Sequence, residues 1–290
     1  MLNSKLFVIG VCGLALAALP LRAQDSAPKA KLNVLKGPAK AKLGEVAQVD
    51  LPEGYNFLDG QTTRNLMKAS GEPTSGRELG LLAPTNEHWS VIFEFSEIGY
   101  VKDAEKEKLD ADKLLQDIKK GTAAANEERK RMGSPPLEII GWEQPPKYDP
   151  VTHNLEWAIR CESEGRAILN YNTRLLGRKG VMEVVLIVAP DGLPATLPKF
   201  KDLLAGYSFQ SGGSYAEYRP GDKVAKYGLA ALVVGGAAVG AAKLGMLAWL
   251  LPFLKKGWIL IVGAFAAVAN WFKKLFARLF GGRRDSETPR

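Results

Sequence analysis

Apolar and polar residues alternate along several stretches of the chain. In HWSVIFEFSEIGY the residues Trp89, Val91, Phe93 and Phe95 occupy every second position, which is the period of a half-buried strand. The preceding ELGLLAP predicts the other strand of a hairpin. Further strands are predicted in EVAQVDLP, LEIIGW, NLEWAIRCE, AILNYNTRLL and VMEVVLIVAP. The turns ESEG and GRKG are too short for parallel crossovers, so we predict an antiparallel sheet.

Three other stretches predict helices. QTTRNLMKASG predicts one that stops at Gly71, and the charged region that follows the hairpin predicts a long helix with a break at Gly121. A third helix is expected from about Pro198 to Leu204, before a terminal strand in GYSF. This mixture over residues 45–221 predicts an α+β domain whose antiparallel sheet is flanked by helices, an α/β/α sandwich. We expect residues 24–44, rich in Ala, Lys and Pro, to be a mobile leader.

Residues 1–23 have the order of a secretory signal peptide. Lys5 precedes an apolar run, and an A-x-A-like cleavage site follows at Ala23. The run would be about 21 Å long as a helix, shorter than the roughly 30 Å hydrocarbon core. An uncleaved anchor and a lipoprotein signal at Cys12 are the alternatives, and each implies export. After cleavage only Cys161 would remain, and its apolar strand neighbours favour a buried thiol over a reactive one.

The C-terminal region predicts membrane segments. Within residues 224–254, the apolar run from Gly228 to Leu251 would form a helix of about 36 Å, enough to cross a bilayer. Residues 257–280 would cross again or lie at the interface, so a helical hairpin and a single crossing both stay open. Residues 281–290 form a basic tail. The lysines expected at the membrane interface are Lys243, Lys255, Lys256, Lys273 and Lys274.

Small residues in the same region predict helix packing. Gly236 and Gly240 form a G-x-x-x-G motif, which allows close approach of a helix from this chain, a second copy or another membrane protein. Small residues without a partner are the alternative. The expected partners are therefore the lipid bilayer and possible neighbouring helices.

The net charge of +8 belongs to the two ends of the chain. Residues 24–223 contain 27 basic and 29 acidic side chains, a net charge of −2. The exported region lacks the positive field that binding to a phosphate backbone requires, so we do not expect a nucleic-acid partner.

Usual catalytic motifs are missing from the sequence. It has no G-x-S-x-G, no phosphate-binding loop and no H-E-x-x-H, and its two histidines lack metal-ligand spacing. We therefore predict no catalytic residue, no cofactor and no metal.

One polar cluster suggests ligand binding. Asn170, Asn172 and Arg174 fall on one face of the strand LNYNTR, and the following turn adds Arg178. A groove that joins them with Asp59 or Asp149 could hold a glycan, a peptide strand or an anionic metabolite. The alternative is the solvated face of an antiparallel sheet. Likewise, five aromatic residues could form either a ligand platform or core: Trp89, Trp142, Trp157, Tyr100 and Tyr148.

Several motifs resemble a known bacterial family. They are GYNFLDG, GLLAP, HWSVIFEFSEIGYVKD, GWEQPPKYDP, LEWAIR, LNYNTRLLGRKG and GDKVAKYGLAALVVGG. The family consists of membrane-anchored proteins catalogued as a domain of unknown function, and the resemblance covers about Glu45 to Gly240. It implies one exported domain joined to a C-terminal membrane segment, without catalytic residues. The helix before GYSF looks like the end of the Mog1 and PsbP-like α/β/α domains.

These observations predict a membrane-anchored protein of the bacterial inner membrane with an extracytoplasmic domain. A binding or assembly role is favoured over an enzymatic one. The alternatives are an exported hydrolase or glycan-modifying enzyme without a local motif, and a subunit of a membrane complex with the domain as a cap. The enzyme would be favoured if Asp59, Asp149 or His153 were buried beside Arg174.

Overall fold

The computed structural model describes residues 33–235 of the chain. The strands are β1 Val34–Lys36, β2 Ala39–Leu43, β3 Ala47–Leu51, β4 Tyr55–Asp59, β5 Glu78–Pro84, β6 Ser90–Ser96, β7 Glu138–Asp149, β8 Asn154–Ser163, β9 Arg166–Leu176, β10 Val181–Val188 and β11 Tyr207–Phe209. The α-helices are α1 Gly60–Ala69, α2 Ala111–Arg131, α3 Leu193–Ala205 and α4 Leu229–Val233. The predicted signal peptide, residues 1–23, lies outside the described residues.

The strands form two antiparallel sheets. The larger has eight strands in the order β1-β4-β5-β6-β10-β9-β8-β7, and the smaller has the order β11-β3-β2. The predicted hairpin is confirmed, because β5 pairs with β6 in antiparallel register. The short turns β7–β8, β8–β9 and β9–β10 also join antiparallel neighbours. The predicted antiparallel sheet is therefore confirmed.

Both faces of the large sheet are covered. One face packs against α3 and the small sheet, through Phe200 and Leu203 of the helix and Val49 of β3. On the other face, α1 covers Leu81 and its neighbours, while α2 and α4 cover the β7–β8 end. The predicted α+β fold with flanking helices is therefore confirmed for the described part of the chain. Cys161 is fully buried, as predicted.

Two local predictions are wrong. The leader predicted for residues 24–44 is structured from Val34, because β1 pairs with β4 and the side chains of Ala41 and Leu43 in β2 are fully buried. The predicted break at Gly121 does not occur. The helix α2 continues through it because Leu114, Ile118, Thr122 and Arg129 all face the interior, and this buried stripe outweighs the low helix propensity of one glycine.

The predicted membrane segment begins differently from expectation. Leu229, Leu232 and Val233 of α4 are buried in the cluster that contains α2, and the helix ends before Gly235, whose φ is 80°. A continuous helix from Gly228 is therefore wrong, since these apolar side chains find their contacts within the domain. No helix within residues 33–235 is long and apolar enough to cross a membrane.

Other predictions for the C-terminal region lie outside the described residues. They concern the later part of the 224–254 segment, the 257–280 segment, the tail 281–290, the motif Gly236 and Gly240, and the lysines Lys243, Lys255, Lys256, Lys273 and Lys274.

Candidate functional site

Four charged side chains form one row across four neighbouring strands. Glu78 of β5 is opposite Glu94 of β6, and Glu94 is opposite Glu183 of β10. Glu183 is in turn opposite Arg174 of β9. Residues directly opposite one another in an antiparallel sheet point to the same face, so three carboxyl groups lie side by side next to one guanidinium group. We call these four residues the charged row.

Two arginines neutralise most of this negative charge. Arg77 Nη2 lies 3.1 Å from Glu94 Oε2, and Arg77 Nη1 lies 3.6 Å from Glu183 Oε1. Arg174 Nη2 lies 3.3 Å from Glu183 Oε2, and its guanidinium carbon is 4.7 Å from the centre of the Trp157 ring. Three carboxyl groups against two guanidinium groups leave an excess of one formal negative charge.

Burial changes the acidity of the row. The side chain of Arg174 is 2% exposed, and those of Glu183 and Glu94 are 19% and 16% exposed. Burial raises the pKa of Glu94, and the charge of Glu183 raises it further. Burial also acts to raise the pKa of Glu183, but Arg174 and Arg77 together outweigh it and lower that pKa. Two neighbouring carboxyl groups thus have pKa values shifted in opposite directions, a combination that occurs in functional sites and in buried ion-pair networks.

Asn170 and Asn172 share this face of β9 with Arg174, as predicted. They are 2% and 0% exposed, so the alternative of a solvated sheet face is wrong for this part of the sheet. Their Oδ1 atoms and Trp157 Nε1 have no hydrogen-bond partner within the described part of the chain. Buried polar atoms of this kind usually bind an ordered water or a ligand.

A groove of about 730 Å³ lies on the same face, beside α1. Its floor consists of Leu81, Ala83, Ile168 and Ile187, and Ile187 is directly opposite Asn170. The polar residues that line it are Ser70, Glu72, Glu87, His88, Ser90, Ser163, Glu164 and Arg166. The groove therefore continues the sheet face that carries the two asparagines and the charged row. We call it the α1 groove.

Three other predicted site residues have local structural roles. Arg178 forms a two-point ion pair with Asp222, at 2.7 and 2.8 Å. Asp59 caps α1 by accepting a hydrogen bond from Thr62 N at 2.8 Å, and Asp149 accepts one from Val151 N at 2.8 Å. The structure therefore brings together Asn170, Asn172 and Arg174. Arg178 instead forms an ion pair, Asp59 caps a helix and Asp149 stabilises a turn.

The five aromatic residues do not form a ligand platform. Trp89 belongs to the core on one face of the large sheet and also contributes to the lining of the α1 groove, whereas Trp157 and Tyr148 belong to the core on the other face. Trp142 Nε1 donates to the carbonyl of Ala111 at 3.1 Å. Tyr100 stacks on another tyrosine in the same cluster, with ring centres 4.4 Å apart. These side chains therefore support the interpretation as core.

Sequence reasoning missed Arg77, Glu78, Glu94 and Glu183. A signal existed for two of them, because Glu94 and Glu183 each interrupt an apolar run, in VIFEF and VMEVV. A buried acid within a strand requires a partner, which marks both positions. Only the register of β6 and β10 shows that they face each other.

These features define an α+β domain with an enclosed charged row and an adjacent groove on one face of an antiparallel sheet. The chain belongs to the family described as Protein of unknown function (DUF2167), whose model matches residues 35–266. The resemblance to a family of unknown function is thereby confirmed. Comparison with curated proteins gives no match.

Comparison with solved structures gives two similar chains. The solution structure of PsbP (CyanoP) from the cyanobacterium Synechocystis sp. PCC 6803 is 12% identical, covers 66% of this chain and 99% of its own, and has a TM-score of 0.35. The crystal structure of PA94, a protein of unknown function from Pseudomonas aeruginosa, is 15% identical, covers 57% and 91%, and has a TM-score of 0.23. TM-scores this low support no argument about the fold or the function of this chain.

Proposed function

We propose that this protein binds a partner in the bacterial cell envelope through an exported domain tethered to the inner membrane. The α1 groove is the observation that carries the binding role. Its volume of about 730 Å³ lies in the range of ligand-binding clefts, and it combines an apolar floor with a polar rim. The partner is a protein or peptide segment that places apolar side chains on Ala83, Ile168 and Ile187.

The enzymatic alternative would be favoured if Asp59, Asp149 or His153 were buried beside Arg174, but the contacts of these three residues lie elsewhere. Asp59 and Asp149 form a helix cap and a turn, and the ring of His153 contacts Tyr215, with ring centres 4.4 Å apart. The acid that pairs with Arg174 is Glu183, and the arginine is too enclosed to touch a substrate. The residue arrangement that would favour a hydrolase is therefore not found within residues 33–235.

The membrane tether is supported by the sequence beyond the described residues. The apolar stretch after Gly235 and the basic residues that follow are typical of a membrane anchor. The first 23 residues have the order of an export signal. In this proposal the lipid bilayer is a partner, and Gly236 and Gly240 offer a packing face to a neighbouring helix.

Site-specific photocrosslinking tests the binding role. A photoreactive amino acid at Ala83 of the full-length chain, expressed in its native cells, is expected to form discrete protein adducts. The matched control carries it at Ile140, which is 45% exposed on the edge strand β7. The adducts from Ala83 should disappear when Ile168→Lys places a charge on the groove floor. The same adducts from both positions, or none from Ala83, would contradict the proposal.

Reporter fusions test the tether. A periplasmic reporter placed after Gly235 is expected to be active, because the proposal places the preceding domain in the periplasm. Gly235 is chosen because the whole described domain then precedes the reporter. Fusion at an earlier position would remove α4 from the core. The unfused chain should stay with the membrane after alkaline extraction. Its release into the aqueous fraction would refute membrane anchoring while leaving the groove experiment intact.

A further inference from the structure

Ser75 connects two carboxyl groups of the charged row. Its Oγ lies 3.0 Å from Glu78 Oε1 and 2.8 Å from Glu94 Oε2, and it accepts a hydrogen bond from Arg77 N at 3.0 Å. A serine hydroxyl has one proton to donate and can accept two hydrogen bonds. It can therefore donate to only one of the two carboxylates, and the other would face it as acceptor to acceptor.

The carboxyl group of Glu78 is short of hydrogen-bond donors, because Ser75 N and Ser75 Oγ both reach its Oε1. Its residue is 1% exposed, and its Oε2 is buried without a hydrogen-bond partner within residues 33–235. A buried carboxylate oxygen without a donor is costly. The excess negative charge of the row adds to this cost, because Arg77 and Arg174, the arginines paired with its carboxyl groups, supply two positive charges for three carboxyl groups. Arg64 of α1 donates to the backbone carbonyl of Glu78 at 2.7 Å rather than to its carboxyl group.

We propose that Glu78 and Glu94 share one proton in the folded domain, with Ser75 as the link between them. Glu94 is the carboxylic acid and donates its proton to Ser75 Oγ, while Ser75 donates to Glu78 Oε1. The Ser75 hydroxyl group then donates one hydrogen bond to Glu78 and accepts two, from Glu94 and from Arg77 N. The added proton also makes the charged row and its two arginines electrically neutral. The site binds a proton and couples its protonation to the segment that leads into β5.

The charged groups around Glu94 support this assignment over protonation of Glu183. Glu94 faces Glu78 and Arg77 from the β5 side and Glu183 from β10. Glu183 has ion pairs with both Arg77 and Arg174 and accepts a hydrogen bond from Ser96 Oγ, so its charged form is well stabilised. Burial raises the pKa of Glu94, in agreement with its role as the acid.

Loss of the proton would act on the strand pair β5–β6. Two carboxylates would then stand directly opposite each other, at the place where the register shifts between Glu78 and Gly80. The segment that precedes β5 also contains Glu72, which lines the α1 groove and pairs with Arg129 of α2. Deprotonation is therefore expected to loosen the segment from Glu72 to Glu78 and the adjacent rim of the groove.

Infrared spectroscopy of the full-length protein in mild detergent tests the shared proton directly. At neutral pH the spectrum is expected to contain the C=O band of a protonated carboxyl group. The band should be lost in Glu94→Gln and kept in Glu97→Gln, a neighbouring glutamate that is exposed. Absence of the band in the natural protein overturns the proposal without reference to any variant. A band that survives Glu94→Gln but is lost in Glu78→Gln also overturns it.

Thermal unfolding gives a second measurement. In the folded state the pKa of Glu94 lies above its ordinary value of 4.5. The stability that the bound proton contributes is therefore complete below pH 4.5 and is lost as the pH rises through the folded pKa. Glu94→Gln cannot lose a proton. Its melting temperature relative to the natural protein is expected to rise by at least about 2 °C between pH 5 and pH 9. An unchanged difference across this range would count against the proposal.

Discussion

At the scale of single residues, the unusual feature is a set of charges enclosed within a sheet. Removing charged groups from water is expensive, and their mutual attraction compensates only when the geometry is good. Arg174 satisfies this condition through Glu183 on one side and the face of Trp157 on the other. The charged row is therefore expected to be sensitive to the loss of any one member.

Replacement of Arg174 tests this sensitivity. Arg174→Met is expected to lower the free energy of unfolding by about 3–5 kcal/mol, because Glu183 keeps its charge with only the more distant Arg77 beside it. Urea unfolding measures the change. In the control Arg166→Met, the lost partner is the exposed Glu164, and the expected cost is below about 1 kcal/mol. Equal costs in the two variants would show that the enclosed pair is not important for stability.

The pair Arg178–Asp222 behaves differently because it lies nearer to solvent. The hydrogen bonds from Arg178 lower the pKa of Asp222 from 3.8 to about 2. A carboxyl group with a lowered folded pKa stabilises the protein above its unfolded pKa, and this stabilisation is lost as the pH falls from about 3.8 through about 2.

This pH window leads to a second prediction. Asp222→Asn is expected to reduce the melting temperature at pH 7, and the difference from the natural protein should shrink towards zero near pH 2. Thermal unfolding at several pH values measures it. Asp191→Asn, at an exposed position, is the control and should change little at any pH. A difference for Asp222→Asn that is the same at pH 7 and pH 2 would contradict this explanation.

At the scale of elements, α2 shows how packing overrides a weak local signal. Its buried stripe continues past Gly121 to Arg129, which pairs with Glu72 beyond the end of α1. Gly121 remains a weak point in the helix because glycine loses more backbone entropy on folding than other residues. A Cβ atom added there would meet no atom within 4 Å.

Gly121→Ala is therefore expected to stabilise the protein by about 0.5–1 kcal/mol. Chemical unfolding measures the change. Gly80→Ala provides the contrast, since its Cβ would lie 2.3 Å from the ring of Phe57 and should destabilise the protein clearly. Destabilisation by Gly121→Ala would indicate that the helix is broken there after all.

At the scale of the whole molecule, the chain after β11 is attached firmly to the domain. Tyr100 exchanges backbone hydrogen bonds with Lys223 and Ala225, at 2.8 Å each, and Arg178 holds Asp222. The helix α4 then adds buried leucines to the core. The folded domain therefore extends at least to Val233, which changes where a membrane segment can begin.

Leu229→Ala tests the extent of the domain. Leu229 is 0% exposed, and its truncation is expected to cost about 2–5 kcal/mol because it leaves a cavity in the cluster with α2. Val224→Ala, at a residue that is 38% exposed, is the control and should cost clearly less. Unfolding of the full-length chain in detergent measures both. A negligible cost for Leu229→Ala would mean that α4 does not belong to the domain core.

The sequence by itself determined the local features of the protein. Period-two alternation is a property of neighbouring residues, so it was enough to predict the β5–β6 hairpin and the shared face of Asn170, Asn172 and Arg174. The antiparallel sheet followed from the short turns between its strands.

Only the tertiary structure decided how distant segments meet. Glu78, Glu94 and Glu183 come from three strands, and their alignment beside Arg174 depends on strand order and register, which no local pattern contains. Composition likewise could not locate the contacts of α4. Apolar residues leave water equally for lipid or for a protein core, because the hydrophobic effect is not directional, and the contacts with α2 show that here the core receives them.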